Sequence, residues 1–169
     1  QLPNGAWPWW SGMRESRYIT QHIVAGFGHL EALKAADTRG DGPNETMLAQ
    51  AVQWLDEDVD RTYRELLKNT KAEDRAKYVP GAIDVHLLYA RSFFTRWSII
   101  GSTRTAMDFY VARCKETWLQ RGLQEQAMLA LAFDRMGEKA TAQLILKSLG
   151  ERATRSEELG MYWNGFNAG

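Results

Sequence analysis

Between Arg17 and Arg152 the apolar side chains recur at steps of three and four, and no stretch sustains the period of two that a half-buried strand requires. That regularity restricts the chain to helices packed on helices. The longest stripe, Leu48, Val52, Leu55, Val59, Tyr63 and Leu66, covers roughly five helical turns. Pro43 suits the first position of that helix, behind a turn over Thr38-Arg39-Gly40-Asp41-Gly42. Upstream, Ile19, Ile23, Phe27 and Leu30 predict a first helix with Ser16 as its N-cap. Gly26 and Gly28 inside it predict the close approach of a neighbouring helix.

Residues 69–81 are polar, close with Pro80-Gly81 and read as a connection. Ile83, Leu87, Ala90, Phe94 and Trp97 then share one face of a third helix, and Ser98 to Ser102 lead to a fourth carrying Met107, Tyr110, Val111, Cys114 and Trp118. Gly122 precedes a fifth, Leu123 to Met136, apolar on most sides and therefore expected near the centre. Gly137 ends it, and a sixth runs from Glu138 to near Arg152 through Thr141, Leu144, Ile145 and Leu149. Short turns between six helices predict an all-α fold of three antiparallel hairpins, as a bundle, a solenoid or part of an α/α toroid. We read residues 1–169 as one helical domain, with a Trp-, Gly- and Pro-rich loop over 1–16 and an aromatic tail segment over 155–169. The start at Gln1 and the stop after Asn167-Ala168-Gly169 suggest a piece of a longer polypeptide.

Lys and Arg total 21 and so do Asp and Glu, a balance that argues against nucleic acid or an anionic membrane surface as the main partner. One cysteine excludes an intrachain disulfide and a multi-cysteine zinc site. No apolar run approaches the roughly 20 residues that span a bilayer, so no direct membrane insertion is expected. A Gly-rich phosphate loop, a nucleophile elbow and a His-Glu-x-x-His pair are all missing, and no cofactor is expected.

Four features invite chemistry, each with a plainer reading. Asp56-Glu57-Asp58-Val59-Asp60 resembles the aspartate clusters that hold magnesium and diphosphate in terpene synthases. Asp56 and Asp60 share a helix face and Asp58 points away, so a solvated face beside Leu55 and Val59 is the expectation. His22 and His29 lie seven residues apart, about 10 Å along the axis, too far for one metal. His86 is expected to pack in the third helix with one nitrogen hydrogen-bonded. Cys114, between Arg113 and Lys115, falls on an apolar stripe and reads as a small core hydrophobe. Trp7, Trp9 and Trp10 form a possible aromatic contact surface, either a platform for sugar rings or packing elements. The loop holds little other apolar surface, so at least one ring is expected to be buried against the first helix.

Asn4-Gly5-Ala6-Trp7-Pro8-Trp9-Trp10-Ser11-Gly12, followed by Ser16-Arg17-Tyr18-Ile19-Thr20 and a helix through Gly26 to Leu33, resembles the bacterial alpha-2-macroglobulin family. So do Gln126 to Gly137, Ile145 to Leu149 and Glu157 to Trp163, which are similar to a helical hairpin and aromatic segment of the same proteins. The resemblance implies the thioester-domain region, an α/α toroid like those of terpene cyclases and complement thioester domains. It also implies a protease-trapping protein of the periplasm or outer cell envelope. The partners would be neighbouring domains of the same polypeptide, and target proteases through the full-length protein. Many members capture the protease through an internal thioester, which needs Cys-x-Glu-Gln. Here Gly122-Leu123-Gln124-Glu125-Gln126 places Leu123 where the cysteine would precede Glu125 and Gln126, so no thioester can form there.

The leading expectation is thus a non-catalytic helical domain contributing to endopeptidase inhibition. The rival is an α/α-toroid carbohydrate-active enzyme or glycan-binding module using Trp7, Trp9 and Trp10. The enzyme version needs two carboxylates about 5–9.5 Å apart in one cleft, drawn from Asp56, Asp58 and Asp84. A third expectation concerns the surface: hairpins without ring neighbours should leave apolar side chains exposed.

Overall fold

The computed structural model describes residues 1–35, 40 and 42–164. They form α1 (Arg17–Ala32), α2 (Pro43–Asn69), the single turn α3 (Ala72–Arg75), α4 (Ala82–Ser92), α5 (Gly101–Thr117), α6 (Leu123–Met136) and α7 (Lys139–Glu151). A two-stranded antiparallel hairpin, β1 (Thr154–Ser156) and β2 (Gly160–Tyr162), follows α7, with Arg155 opposite Met161. The fold is all-α apart from this hairpin. Thr38, Arg39 and Asp41 of the expected turn, and residues 165–169 of the tail, lie outside the described residues.

α4 packs against both α1 and α6, α2 packs against α5 and α1, and α7 packs against α6. Side chains such as Val24, Leu48, Leu55, Leu88, Tyr110, Leu129, Phe133 and Ile145 form one core cluster among these helices.

Local chemistry sets the helix ends. Ser16 Oγ accepts from the Ile19 N–H, as its position suggested, and Pro43 opens α2. Gly137 takes φ +90° and closes α6, letting the Glu138 N–H reach the Phe133 carbonyl at 2.8 Å. α4 stops at Ser92, short of the predicted face through Trp97. Arg91 Nη1 and Nη2 donate to the carbonyls of Phe94 and Trp97, both at 2.6 Å, which gathers the chain into turns around a buried guanidinium.

The predicted face of α1 is out of phase. Ile19, Ile23 and Phe27 are half-buried and Leu30 is exposed, whereas Thr20, Gln21, Val24, Ala25 and Gly28 are buried. The period is correct, but the polar side chains of Thr20 and Gln21 take part of the inward stripe. Of the two glycines only Gly28 meets a close neighbour: a Cβ there would lie 2.3 Å from Cγ of Phe93, while Gly26 faces open space. Leu144 of α7 is likewise exposed, with Ala142, Ile145 and Leu149 on the buried side.

Candidate functional site

The tryptophan loop is closed at its neck and open at its tip. The Trp7 N–H donates to Thr20 Oγ1 at 2.9 Å, the Ser16 N–H donates to the Trp7 carbonyl at 2.9 Å, and Pro8 bridges Glu15. Residues 1–6 lie on α2, where Gln1 Nε2 donates to the Met47 carbonyl at 2.8 Å. Gly5 has φ +91°, and a Cβ there would sit 2.5 Å from the Gln50 carbonyl oxygen, so only glycine fits. Trp7 is half-buried against the core. Trp9 is 53% exposed and Trp10 73%.

These three rings do not make a flat platform. Trp7 turns inward, and Trp9 stacks on Tyr18 of α1 with centroids 5.4 Å apart and planes 8° apart, so one of its faces is already covered. Trp10 alone stands free. A sugar chain stacking along the loop would meet Trp10 and the uncovered face of Trp9 but not Trp7.

The Trp9–Tyr18 stack continues along the seam between α1 and α4. Tyr18 lies 4.1 Å from His22, and His22 stacks on His86 at 3.9 Å with planes 13° apart. Further along, His29 is hydrogen-bonded to the Tyr89 hydroxyl at 3.0 Å and meets Phe93 edge-on at 5.0 Å. Sequence spacing separated His22 from His29 and gave no sign that His22 meets His86 across two helices. Near-parallel rings aim their nitrogen lone pairs side by side instead of at one point. Among the described residues no group of three His, Cys, Asp or Glu could hold a metal. His22 Nδ1–H donates to the Tyr18 carbonyl at 2.7 Å. His86 corrects an expectation: its Nδ1 is buried without a partner, and burial, reinforced by His22 and His29, lowers its pKa from 6.5 to about 4.

The acidic run is not a solvated face. Asp58 and Asp60 are buried and only Glu57 is exposed. Asp56 accepts from Arg91 Nε at 2.9 Å, Asp60 pairs with Arg64 at 2.5 Å, and Asp58 faces Arg61 and, at 3.7 Å, Arg17 Nε. Arg61 and Arg64 pair within α2, but Arg17 of α1 and Arg91 of α4 reach Asp58 and Asp56 from other helices, which the periodicity of α2 alone cannot reveal. Arg17 also donates to Asp84 Oδ1 at 2.8 Å, so Asp58 and Asp84 do converge, but on a guanidinium. Asp84 Oδ2 accepts the Gly81 N–H at 2.9 Å and the Tyr78 hydroxyl at 3.3 Å, capping α4. Burial raises the Asp58 and Asp56 carboxyls above the usual 3.8, with the arginines opposing it. Beside this cluster Tyr110 keeps a buried hydroxyl without a partner, and burial pushes its pKa up. Gln21, fully buried one turn after Arg17, has both amide atoms unpartnered.

Leu123 is half-buried at the first position of α6. Gln126 is buried, donating from Nε2 to the Arg121 carbonyl at 2.7 Å and accepting from Arg152. Glu125 pairs with Arg121 at 3.3 Å, and Arg121 Nη2 donates to the Pro80 carbonyl at 2.7 Å. Glu125 and Gln126 thus tie α6 to the connection before α4 and to the end of α7. Cys114 is fully buried, and burial raises its thiol to about 12, leaving negligible thiolate near neutrality.

No family model, no curated protein and no solved structure matches this chain. Among the described residues no helix is long and apolar enough to cross a membrane.

Proposed function

We propose that this chain is a non-catalytic helical unit of a protease-trapping protein of the bacterial alpha-2-macroglobulin type. In this reading it works in the periplasm or outer cell envelope and packs against neighbouring domains of its own polypeptide. The observation that carries the reading is the contact pattern of the helices, in which α4 touches both α1 and α6 while α2, which lies between α1 and α4 in the chain, touches α5. An α/α toroid repeats an alternation of that kind around its ring. Exposed Leu131, Leu144 and Leu146 on the last hairpin offer apolar surface against which further helices would pack.

The distribution of reactive groups supports a structural role. Asp56, Asp58 and Asp84 are engaged by arginines, Cys114 is buried, and Leu123 supplies no nucleophile. Against the glycosidase alternative, the three carboxylates are paired with arginines, and against the glycan platform Tyr18 covers one face of Trp9.

The test uses the polypeptide that carries this chain, produced with its natural flanking segments and incubated with trypsin. A trap leaves trypsin active on a small chromogenic peptide and blocks its action on a folded protein substrate. Equal loss of both activities, or no loss of either, would overturn the proposal.

A further inference from the structure

A cleft of about 410 Å³ opens where the turns after α4 cross α5 and the end of α6. Ile99, Met107, Val111 and Met136 supply apolar lining, and Thr95 and Ser98 line it as well. Arg135, in the last turn of α6, lines this cleft and also a neighbouring one of about 300 Å³ that reaches Gly28 and Glu31 on α1. The two depressions share Arg135 and Thr95.

The charges around them are unequally matched. Asp108 faces Arg104 at 2.9 Å, Glu138 faces Lys115 at 2.5 Å, and Glu31 faces Arg96 at 3.1 Å. Asp134, next to Arg135 in the chain, is taken by Lys139 at 2.7 Å. Arg135 has no carboxylate partner among the described residues. Its Nη1 donates to Ser92 Oγ at 3.2 Å, and its guanidinium lies 3.8 Å from the centroid of Phe93. That stacking and the single hydrogen bond orient a planar fork whose other N–H donors have no partner among the described residues. A fixed fork of this kind matches a carboxylate with two parallel hydrogen bonds.

We propose that this cleft binds an extended polypeptide segment carrying a Glu or Asp side chain. The carboxylate is held by Arg135, and the apolar neighbours of the acid lie on Met107, Val111 and Met136. A multiply charged anion fits less well, because it would meet one unpaired cation among carboxylates that already have partners. A purely apolar segment would leave the guanidinium partly desolvated without compensation. The cleft has this chemistry whether or not the chain belongs to a protease trap.

The probe pair is acetyl-Leu-Glu-Leu-amide and acetyl-Leu-Gln-Leu-amide, titrated into the isotope-labelled chain and followed by NMR. The glutamate peptide is expected to shift Arg135 Nε–H and the methyls of Met107 and Met136 saturably, with a response that weakens as salt is added. The glutamine peptide should bind at least tenfold more weakly. Arg135→Gln, which keeps a donor for Ser92, should reduce binding of the glutamate peptide to the same level, and Arg135→Lys should retain part of it. Equal responses to the two peptides, an unchanged response in a folded Arg135→Gln variant, or no saturable shift up to the peptide's solubility limit would overturn the proposal. If Arg135→Gln does not fold, the peptide pair on the unaltered chain decides.

Discussion

Arg91 Nε donates to Asp56 Oδ1 over 2.9 Å, although the two residues are 35 positions apart. The same guanidinium is only 1% exposed and also holds the Phe94 and Trp97 carbonyls. One side chain therefore joins α2 to α4 and shapes the turns that lead to α5.

Replacing it should be costly. Arg91→Met leaves a half-buried carboxylate and two carbonyls without their donor, and the expected loss is about 3–5 kcal/mol in urea denaturation. Adding Asp56→Leu should recover part of that loss, because the stranded charge is gone. A loss under about 1 kcal/mol for the single variant would contradict this role.

Gly26 and Gly28 should respond in opposite directions. An alanine at position 26 meets open space and is expected to stabilise α1 by up to about 1 kcal/mol. At position 28 its Cβ would overlap Phe93, and a loss of about 1–3 kcal/mol is expected. Phe93→Leu in the Gly28→Ala background should relieve some of it. Thermal melts of the three variants check the ordering.

His86 should make the fold acid-sensitive. Its folded pKa, about 4, lies below the unfolded value of 6.5, so the unfolded chain binds the proton first as pH falls. The contribution is complete above pH 6.5 and is lost as pH drops towards about 4. The full shift corresponds to about 3 kcal/mol, reduced to about 1–2 kcal/mol for solvent screening of a half-buried ring. His86→Phe should flatten the stability profile in this window relative to the parent. Parallel profiles for the two proteins would count against the assignment.

The tryptophans should separate by depth. Trp10→Ala is expected to change stability by less than about 0.5 kcal/mol. Trp7→Ala, which removes a ring packed on the core, should cost about 2–4 kcal/mol. Neither variant should alter retention on immobilised polysaccharide, since Trp7 packs on the core and Tyr18 covers one face of Trp9.

What the sequence disclosed was mostly local. Ser16, Pro43, Gly122 and Gly137 marked helix ends because capping and backbone preference act over a few residues. The stripe through Leu48, Val52, Leu55 and Val59 identified the buried face of α2 because a single period suffices for it. The inward face of α1 was hidden because Arg17, Thr20 and Gln21 occupy it, and polar residues inside a fold carry no periodic signature. Arg17 with Asp84, Arg91 with Asp56 and His22 with His86 are pairs between helices, and nothing in the spacing along one helix encodes them. Arg135 was missed for the same reason: its lack of an acidic partner is a property of its surroundings.

The carboxylates of Asp56, Asp58 and Asp84 hold helices together through arginines, and replacing Asp84 tests that role most directly. Its oxygens accept from Arg17, Tyr78 and the Gly81 N–H, so Asp84→Asn withdraws the charge that balances a nearly buried guanidinium. Urea denaturation of Asp84→Asn should show a loss of about 2–4 kcal/mol. A reactive carboxylate is commonly held at some expense to stability, so its replacement leaves stability unchanged or raised. Unchanged or increased stability in this variant would contradict the structural role and return Asp84 to the candidates for chemistry.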